Sequence, residues 1–489
     1  MTTPIYDTVL HGGTLLDGSA TPGYQADIGI QAGRIAAIAP AGSLHGQQQH
    51  DASGWIISPG FIDVHAHDDQ QAVSAPAMQA KLTQGVTTVV VGNCGISLVP
   101  WVADRTPPAP LNLIGSQADY CYPTVAAYAA AVDAAGPTVN IGLLVGHSTL
   151  RVNVLDDPAQ AASAAQVEQM QALLEEGMQS GALGFSSGLF YPTSKIAGND
   201  EVIALAKVAA RHGGVYTSHI RDEYAGVIDS IHEACDAGEA AGLQVVLSHH
   251  KCAGPANWGR SNESLACVTE RRRRHPVGLD AYPYTAGSTT LNPDYVDGKI
   301  KVLVSWSEPH PEHNGRDLAE VAAEWGVDQK EAARRLSPAG GIYFQMHEDD
   351  VRRILAYPHT MIGSDGLPRD AHPHPRLWGA FPRVLGHYCR EEKLFHLPEA
   401  IRRMTTLSAD TFGLRRRGRL QVGCAADLVV FSPAHIRDTA TFADPKQPAQ
   451  GIHQVWVNGV LSVIDGVLTG QRGGRMLRRQ QERFDEGQP

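Results

Sequence analysis

"WIISPGFIDVHAHDD", residues 55–69, carries an apolar strand through a Pro-Gly step and ends it in two histidines, His65 and His67, followed by two acids. Side chains along a strand alternate with period two, so His65 and His67 point to the same side. The middle of the chain repeats this unit. Candidate strands are 61–67, "GVTTVVVGNCG" (85–95), "VNIGLLVGH" (139–147), "GALGFSSGL" (181–189), "GGVYTSHI" (213–220), "LQVVLSHHK" (243–251), "PVGLDAYPYTAG" (276–287) and "HTMIGSDG" (359–366). Amphipathic helical stretches such as "AAQVEQMQALLEEGMQS" and "DEVIALAKVAARHG" separate most of them. Eight alternating strand–helix units within about 300 residues predict an α/β fold, the (β/α)8 TIM barrel. The strands are nearly continuous Val, Ile and Leu, as strands covered on both faces should be.

Outward from the barrel the style changes. The first sixty residues and the segment "GRLQVGCAADLVVFSP…GIHQVWVNGVLSVIDGVLTGQ" are short β-rich runs broken by Gly, Pro, "NG" and "DG", which read as hairpins. Residues 1–60 and 416–480 are therefore expected to join in a small β-sandwich domain, with 61–415 as the barrel and 481–489 as a partly disordered tail. Residues 288–347 interrupt the rhythm after strand seven with "KIKVLVSWSE" and one helix, "RDLAEVAAEWGVDQKEAARRL". An insertion leaving the C-terminal end of a barrel strand lies over the active rim, so it reads as lid-like.

Composition narrows the class. The 489 residues carry a formal charge of -11, which argues against nucleic acid or an anionic membrane as partner. No apolar run approaches the roughly 18 residues of a membrane span. The N-terminus lacks the pattern of a signal peptide. Seven scattered cysteines do not form a disulfide framework and fit a cytoplasmic setting. The arginine runs 271–274 and 415–417 read as solvated surface.

Polar residues recur where the strands end: Asn93 and Cys94; Ser218 and His219; Ser248, His249, His250 and Lys251; Ser364 and Asp365. In a barrel these ends form the catalytic rim. By parity His249 and His250 face opposite ways, and Lys251 shares the side of His249. Imidazole, thiolate and carboxylate together suit Zn²⁺.

At these motifs the chain resembles the amidohydrolase superfamily through "PGFIDVHAH", and within it the N-acyl-D-amino-acid deacylases (D-aminoacylases). The latter likeness lies in "GVTTVVVGNCGIS", "SSGLFYPTSKIAG", "SHIRDE", "LSHHKCAG" and "SDGLPRDAHPHPRLWGAFPRVLG". It runs from about residue 5 to about residue 475. The resemblance implies a tight zinc site of Cys94, His219 and His249. It also implies a weaker second site of His65, His67 and Asp365, filled in some members and not in others. Many superfamily members bridge two metals with a carboxylated lysine on strand four; here that strand shows Ser186, Ser187 and Leu189.

The implied reaction cleaves an N-acyl-D-amino acid, with Asp365 moving the proton from water to the leaving nitrogen. The product's α-carboxylate calls for cations or donors beside the metal. Lys251, Tyr282, Ser288 and Arg376 are the candidates, with Tyr191 as a pocket wall. "STTLNPDYVDG", after strand seven, offers no base before Lys299, which favours neutral, largely hydrophobic side chains over D-glutamate or D-aspartate. The expected partner is the small-molecule substrate, with the chain a monomer or small homo-oligomer. A cyclic-amide hydrolase is the related alternative, set back by the absent strand-four lysine. A non-catalytic scaffold is set back by the full ligand set.

Overall fold

Eight parallel strands pair in chain order: β1 (Phe61–Asp63), β2 (Val86–Val91), β3 (Asn140–Gly146), β4 (Gly184–Gly188), β5 (Val215–His219), β6 (Val245–Leu247), β7 (Val277–Ala281) and β8 (Thr360–Ile362). The computed structural model describes residues 5–482. Each strand lies inside one of the apolar stretches that the sequence marks. Every residue of "VTTVVV" in β2 is buried, because helices cover the outside of the barrel while neighbouring strands line the inside. Helix boundaries follow local chemistry. Ala164–Gln179 starts at a capping box, in which Ser163 and Gln166 satisfy each other's backbone N–H groups. Backbone pairing at the β8–β1 seam is thin, with one bridge between Ala66 and Gly366.

The terminal segments pair with each other, but in one sheet of nine strands. Ile56–Pro59 joins the N-terminal hairpins to Leu428–Phe431, through Ile57 opposite Val430. The far edge curls back, with Ile35 N donating to Cys424 O at 2.9 Å and Gly423 N to Ile35 O at 2.8 Å. The two layers expected of a sandwich are thus two parts of one curled sheet. They share a single core that includes Leu10, Ile28, Ile57, Leu428 and Trp456.

Two smaller expectations change. The insertion holds two helices, Leu318–Trp325 and Gln329–Leu336, not one. Gly326 ends the first in the left-handed region, and Asp328 caps the second by accepting from Glu331 N, so the chain reverses within three residues. With a three-stranded antiparallel sheet (Gly287–Thr290, Val302–Ser307, Ala339–Tyr343) they enclose their own apolar core. The run 415–417 is not all surface. Arg417 is fully buried and donates to Asp427, Glu482 and Asn458. That pairing, with buried Met476 and Leu477, fixes the chain as far as Glu482. The rest of the expected tail, 483–489, lies outside the described residues.

Candidate metal centre

The ends of five barrel strands bring six side chains to one point. Cys94 Sγ lies 3.2 Å from His65 Nε2 and 3.3 Å from His249 Nε2. His249 Nε2 lies 3.0 Å from His219 Nδ1. Asp365 Oδ1 lies 3.1 Å from His67 Nε2 and 3.4 Å from His65 Nε2. Two overlapping donor groups result, Cys94–His219–His249 and His65–His67–Cys94–Asp365, with the donor atoms of each within 4.8 Å of one another. The family resemblance implies Cys94 for the first group alone; the structure places its sulfur in both. All six residues are buried.

The backbone is strained where it delivers these groups. Cys94 (φ 55), His249 (φ 35) and Asp365 (φ 50) adopt the left-handed region, which costs a non-glycine residue roughly 1–2 kcal/mol. The turn at Cys94 depends on its glycines. At Gly92 (φ +78) a Cβ would lie 1.9 Å from Leu144 O, and at Gly95 (φ +74) 2.7 Å from Gly188 N. Ser186 on β4 donates to Gly92 O and accepts from Gly95 N at 3.0 Å. Here β4 supplies a hydroxyl that fixes the cysteine turn. The parity argument holds at β6: His249 turns inward, and His250 turns away to Ser264 Oγ at 2.8 Å.

Two residues that sequence reasoning passed over orient the imidazoles. Asp280 on β7 lies 3.1 Å from His65 Nδ1 and accepts from His249 N at 2.9 Å. Glu223 Oε1 lies 3.1 Å from His249 Nδ1 and 2.6 Å from Lys251 Nζ. Their signals were an acid within the apolar run "VGLDA" and a carboxylate four residues past His219 in "SHIRDE". Lys251 Nζ is itself 2.7 Å from His249 Nδ1. Of the two arrangements, the one with Nδ1–H on Glu223 leaves His249 Nε2 free to bind a metal.

Electrostatics support ligation. Burial alone would raise the Cys94 thiol, but His65 and His249 draw it well below its usual range. Burial pushes His219 down to about 4, which keeps it a neutral donor. Burial would raise Asp365, yet Arg376, His249, His65 and the hydrogen bond from His67 hold it well below the carboxylate range. His219 Nδ1 faces His249 Nε2 at 3.0 Å beside the Cys94 sulfur, so a single cation can draw on several donor atoms at once. The donors fit zinc.

Lys251, Tyr282, Ser288 and Tyr191 line the adjoining cavity together with His67, His219, His249 and Asp365. Arg376 stands behind this wall. It is fully buried, with Nη1 2.8 Å from Asp365 Oδ2, Nη2 donating to Ser288 O at 3.1 Å, and its guanidinium carbon 4.5 Å from the centre of the Tyr282 ring. His374 Nδ1 accepts from Arg376 N at 2.9 Å. The insertion contributes Ser288, Thr289, Tyr295, Tyr343 and Gln345 to the cavity wall.

A model described as "Amidohydrolase family" matches residues 48–463. A D-aminoacylase of Alcaligenes xylosoxydans xylosoxydans is 48% identical over 474 residues, covering 97% of this chain and 98% of its own length. A solved D-aminoacylase, described in terms of a binuclear metal centre with one-metal activation and second-metal attenuation, superposes with a TM-score of 0.95 at 47% identity, covering 97% of this chain and 100% of that one. The N-acyl-D-glutamate deacylase of Bordetella bronchiseptica, complexed with zinc and a phosphonate that mimics the tetrahedral intermediate, superposes with a TM-score of 0.93 at 45% identity, with the same coverage.

Proposed function

The chain belongs to the amidohydrolase family, and from that premise we infer that it carries out the metal-dependent hydrolysis of N-acyl-D-amino acids to a carboxylate and a free D-amino acid. The convergence of Cys94, His219 and His249, in a chain 48% identical to a D-aminoacylase, carries this reading. Release of D-methionine from N-acetyl-D-methionine by the zinc-loaded protein tests it, with N-acetyl-L-methionine as control; equal rates on both enantiomers would sink it.

Cys94, His219 and His249 would hold the tight zinc. His65, His67 and Asp365 would hold a second, weaker one, with the Cys94 sulfur within reach of both. A zinc ion there supplies Lewis-acid polarisation of the scissile carbonyl and acidifies water. The protein does the rest. Asp365, kept ionised by Arg376, takes the proton from the attacking water and gives it to the leaving nitrogen, a role worth roughly 10² to 10⁴ in rate. His67, 3.1 Å from its Oδ1, aims the carboxylate. Phe190 and Tyr191 pack their rings against His219, with centroids 5.0 Å away in each case, and shield that side of the site from water.

Lys251, Tyr282 and Ser288 take the substrate's α-carboxylate. Arg376 acts from behind, on Ser288 through its carbonyl and on Asp365 directly. Arg376→Ala is therefore expected to lower kcat/KM by roughly 10²-fold or more, since a catalytic carboxylate left about 1 Å out of place costs roughly 10²-fold in rate. KM should rise as well; an unchanged KM would remove Arg376 from carboxylate binding.

The amino-acid side chain meets an aromatic and aliphatic wall of Phe190, Tyr191, Tyr224, Tyr295, Tyr343 and Leu367. Among the described residues lining this cavity, Lys251 is the one lysine or arginine, and the α-carboxylate takes it. Lys251 is paired with Glu223, Lys299 with Asp297 at 3.0 Å, and Asp294 with Lys330 at 3.0 Å. Neutral hydrophobic D-amino acids are the preferred substrates on this reading. Across N-acetyl-D-methionine, -leucine, -phenylalanine, -glutamate and -aspartate, the acidic two should show the lowest kcat/KM, and D-glutamate at the top would reverse the assignment.

A further inference from the structure

We propose that Lys81 is a positioning residue for catalysis: it ties β1 to β8 across the barrel seam and thereby sets the geometry of Asp365 and His67. The inference rests on Asp365 as the catalytic base.

Lys81 lies in the short helix Gln79–Leu82 and is fully buried. Its ammonium donates to Asp63 Oδ2 at 2.8 Å and to Ser364 Oγ at 2.7 Å, and stands 3.1 Å from Asp68 Oδ2. An ammonium has three donors; two make hydrogen bonds to Asp63 and Ser364, and the contact with Asp68 is an ion pair. Each partner adjoins a residue of the metal centre. Asp63 ends β1 and accepts from His65 N at 3.2 Å. Asp68 follows His67, and Ser364 precedes Asp365. Asp63 also accepts from Ser364 N at 2.8 Å and Ser364 Oγ at 2.6 Å. One connected network therefore touches the chain beside His65, His67 and Asp365.

Backbone pairing would normally perform this task. At this seam it amounts to the Ala66–Gly366 bridge and Asp365 N donating to His65 O at 2.7 Å. Asp365 moreover sits in the left-handed region, a conformation that persists only where surrounding contacts over-determine it. Burial alone would lower the Lys81 pKa, but Asp63 and Asp68 hold it above the usual lysine value, so the tie stays charged. Stability is a poor reason for such a network, because apolar residues of similar volume often replace buried ion pairs without loss. What they cannot replace is a fixed distance between two strands and the carboxylate each presents.

The test compares Ser364→Ala, which removes one acceptor and leaves no bare charge, with the double variant Lys81→Met/Asp68→Asn. In the double variant Asp63 keeps the N–H groups of His65 and Ser364 and the Ser364 hydroxyl, which guards against the misfolding that Lys81→Met alone invites. The measurements are kcat and KM on N-acetyl-D-methionine, zinc per chain, and the melting temperature of the metal-free chain. A carboxylate displaced by about 1 Å costs roughly 10²-fold in rate. The double variant should accordingly lose about that much kcat and Ser364→Ala about tenfold, with KM within about twofold and zinc at the Cys94 site retained. The tie is overturned if both variants turn over within threefold of the parent. It is equally overturned if the loss of kcat comes with loss of that zinc or collapse of the melt, which marks a merely structural role. Asp365→Asn run in parallel separates this inference from its premise. If Asp365→Asn is dead and both variants are active, the tie alone falls; if Asp365→Asn is active, the base assignment falls first.

Discussion

Replacing Asp365 by Asn should lower kcat by roughly 10² to 10⁴-fold while the protein keeps the zinc bound by Cys94, His219 and His249. The reasoning is geometric before it is electrostatic. Asp365 Oδ1 faces His67 and His65, while Oδ2 faces Arg376. The carboxyl thus sits at the edge of the three-ligand group and inside the cavity wall. An amide has almost the same shape but cannot take a proton from water, so shape is conserved and the chemistry is lost. Zinc should remain because none of its three tight donors is altered. Arg376 would lose its charge partner, yet the Asn carbonyl still accepts from it, and the melting temperature reports that cost separately from kcat. A variant retaining a third of the parental kcat would end the role of Asp365 as the base.

The second large effect falls on the metal itself. Cys94→Ala deletes the sulfur that both donor groups share. Losing even an outer-shell partner costs about 10- to 100-fold in metal affinity, so deleting a direct ligand should cost more than roughly 100-fold, and activity should fall in parallel. The chain should still fold. Cys94 is one small member of the large core cluster that the barrel strands share, so losing its sulfur is a local change, and Ser186 still supports the turn at position 94 through Gly92 O and Gly95 N. Zinc per chain after gel filtration, read with activity and a melting curve, checks this. The parent stripped by chelator should behave like the variant and recover on zinc addition, whereas the variant should not. Stoichiometric zinc and normal turnover in Cys94→Ala would remove the thiolate from the centre.

The positions of Cys94, His219 and His249 at strand ends were legible in the sequence because each closes a run of apolar residues, which carries both the strand and its inward face; their grouping as one zinc site was implied by the family resemblance. The same local logic told His249 from His250. It failed where the answer depended on partners far along the chain. Asp280 orients His65 across 215 positions. Arg417 read as surface because a run of arginines usually is; its partner Glu482 lies 65 positions further on. Arg376 read as part of a carboxylate pocket, and the structure set it behind the wall, against the base.

By itself, the sequence determined the barrel, the order of its strands, and which imidazoles, thiol and carboxylate stand at their ends, since periodicity and residue type are local properties. Only the tertiary structure decided that one sulfur lies in two donor groups, that Cys94, His249 and Asp365 sit on left-handed backbone, and that Glu223 and Asp280 contact the imidazoles while Lys81 bridges Asp63, Asp68 and Ser364. Those facts are distances between strands, set by how the barrel closes, and no local pattern of residues encodes a distance across it.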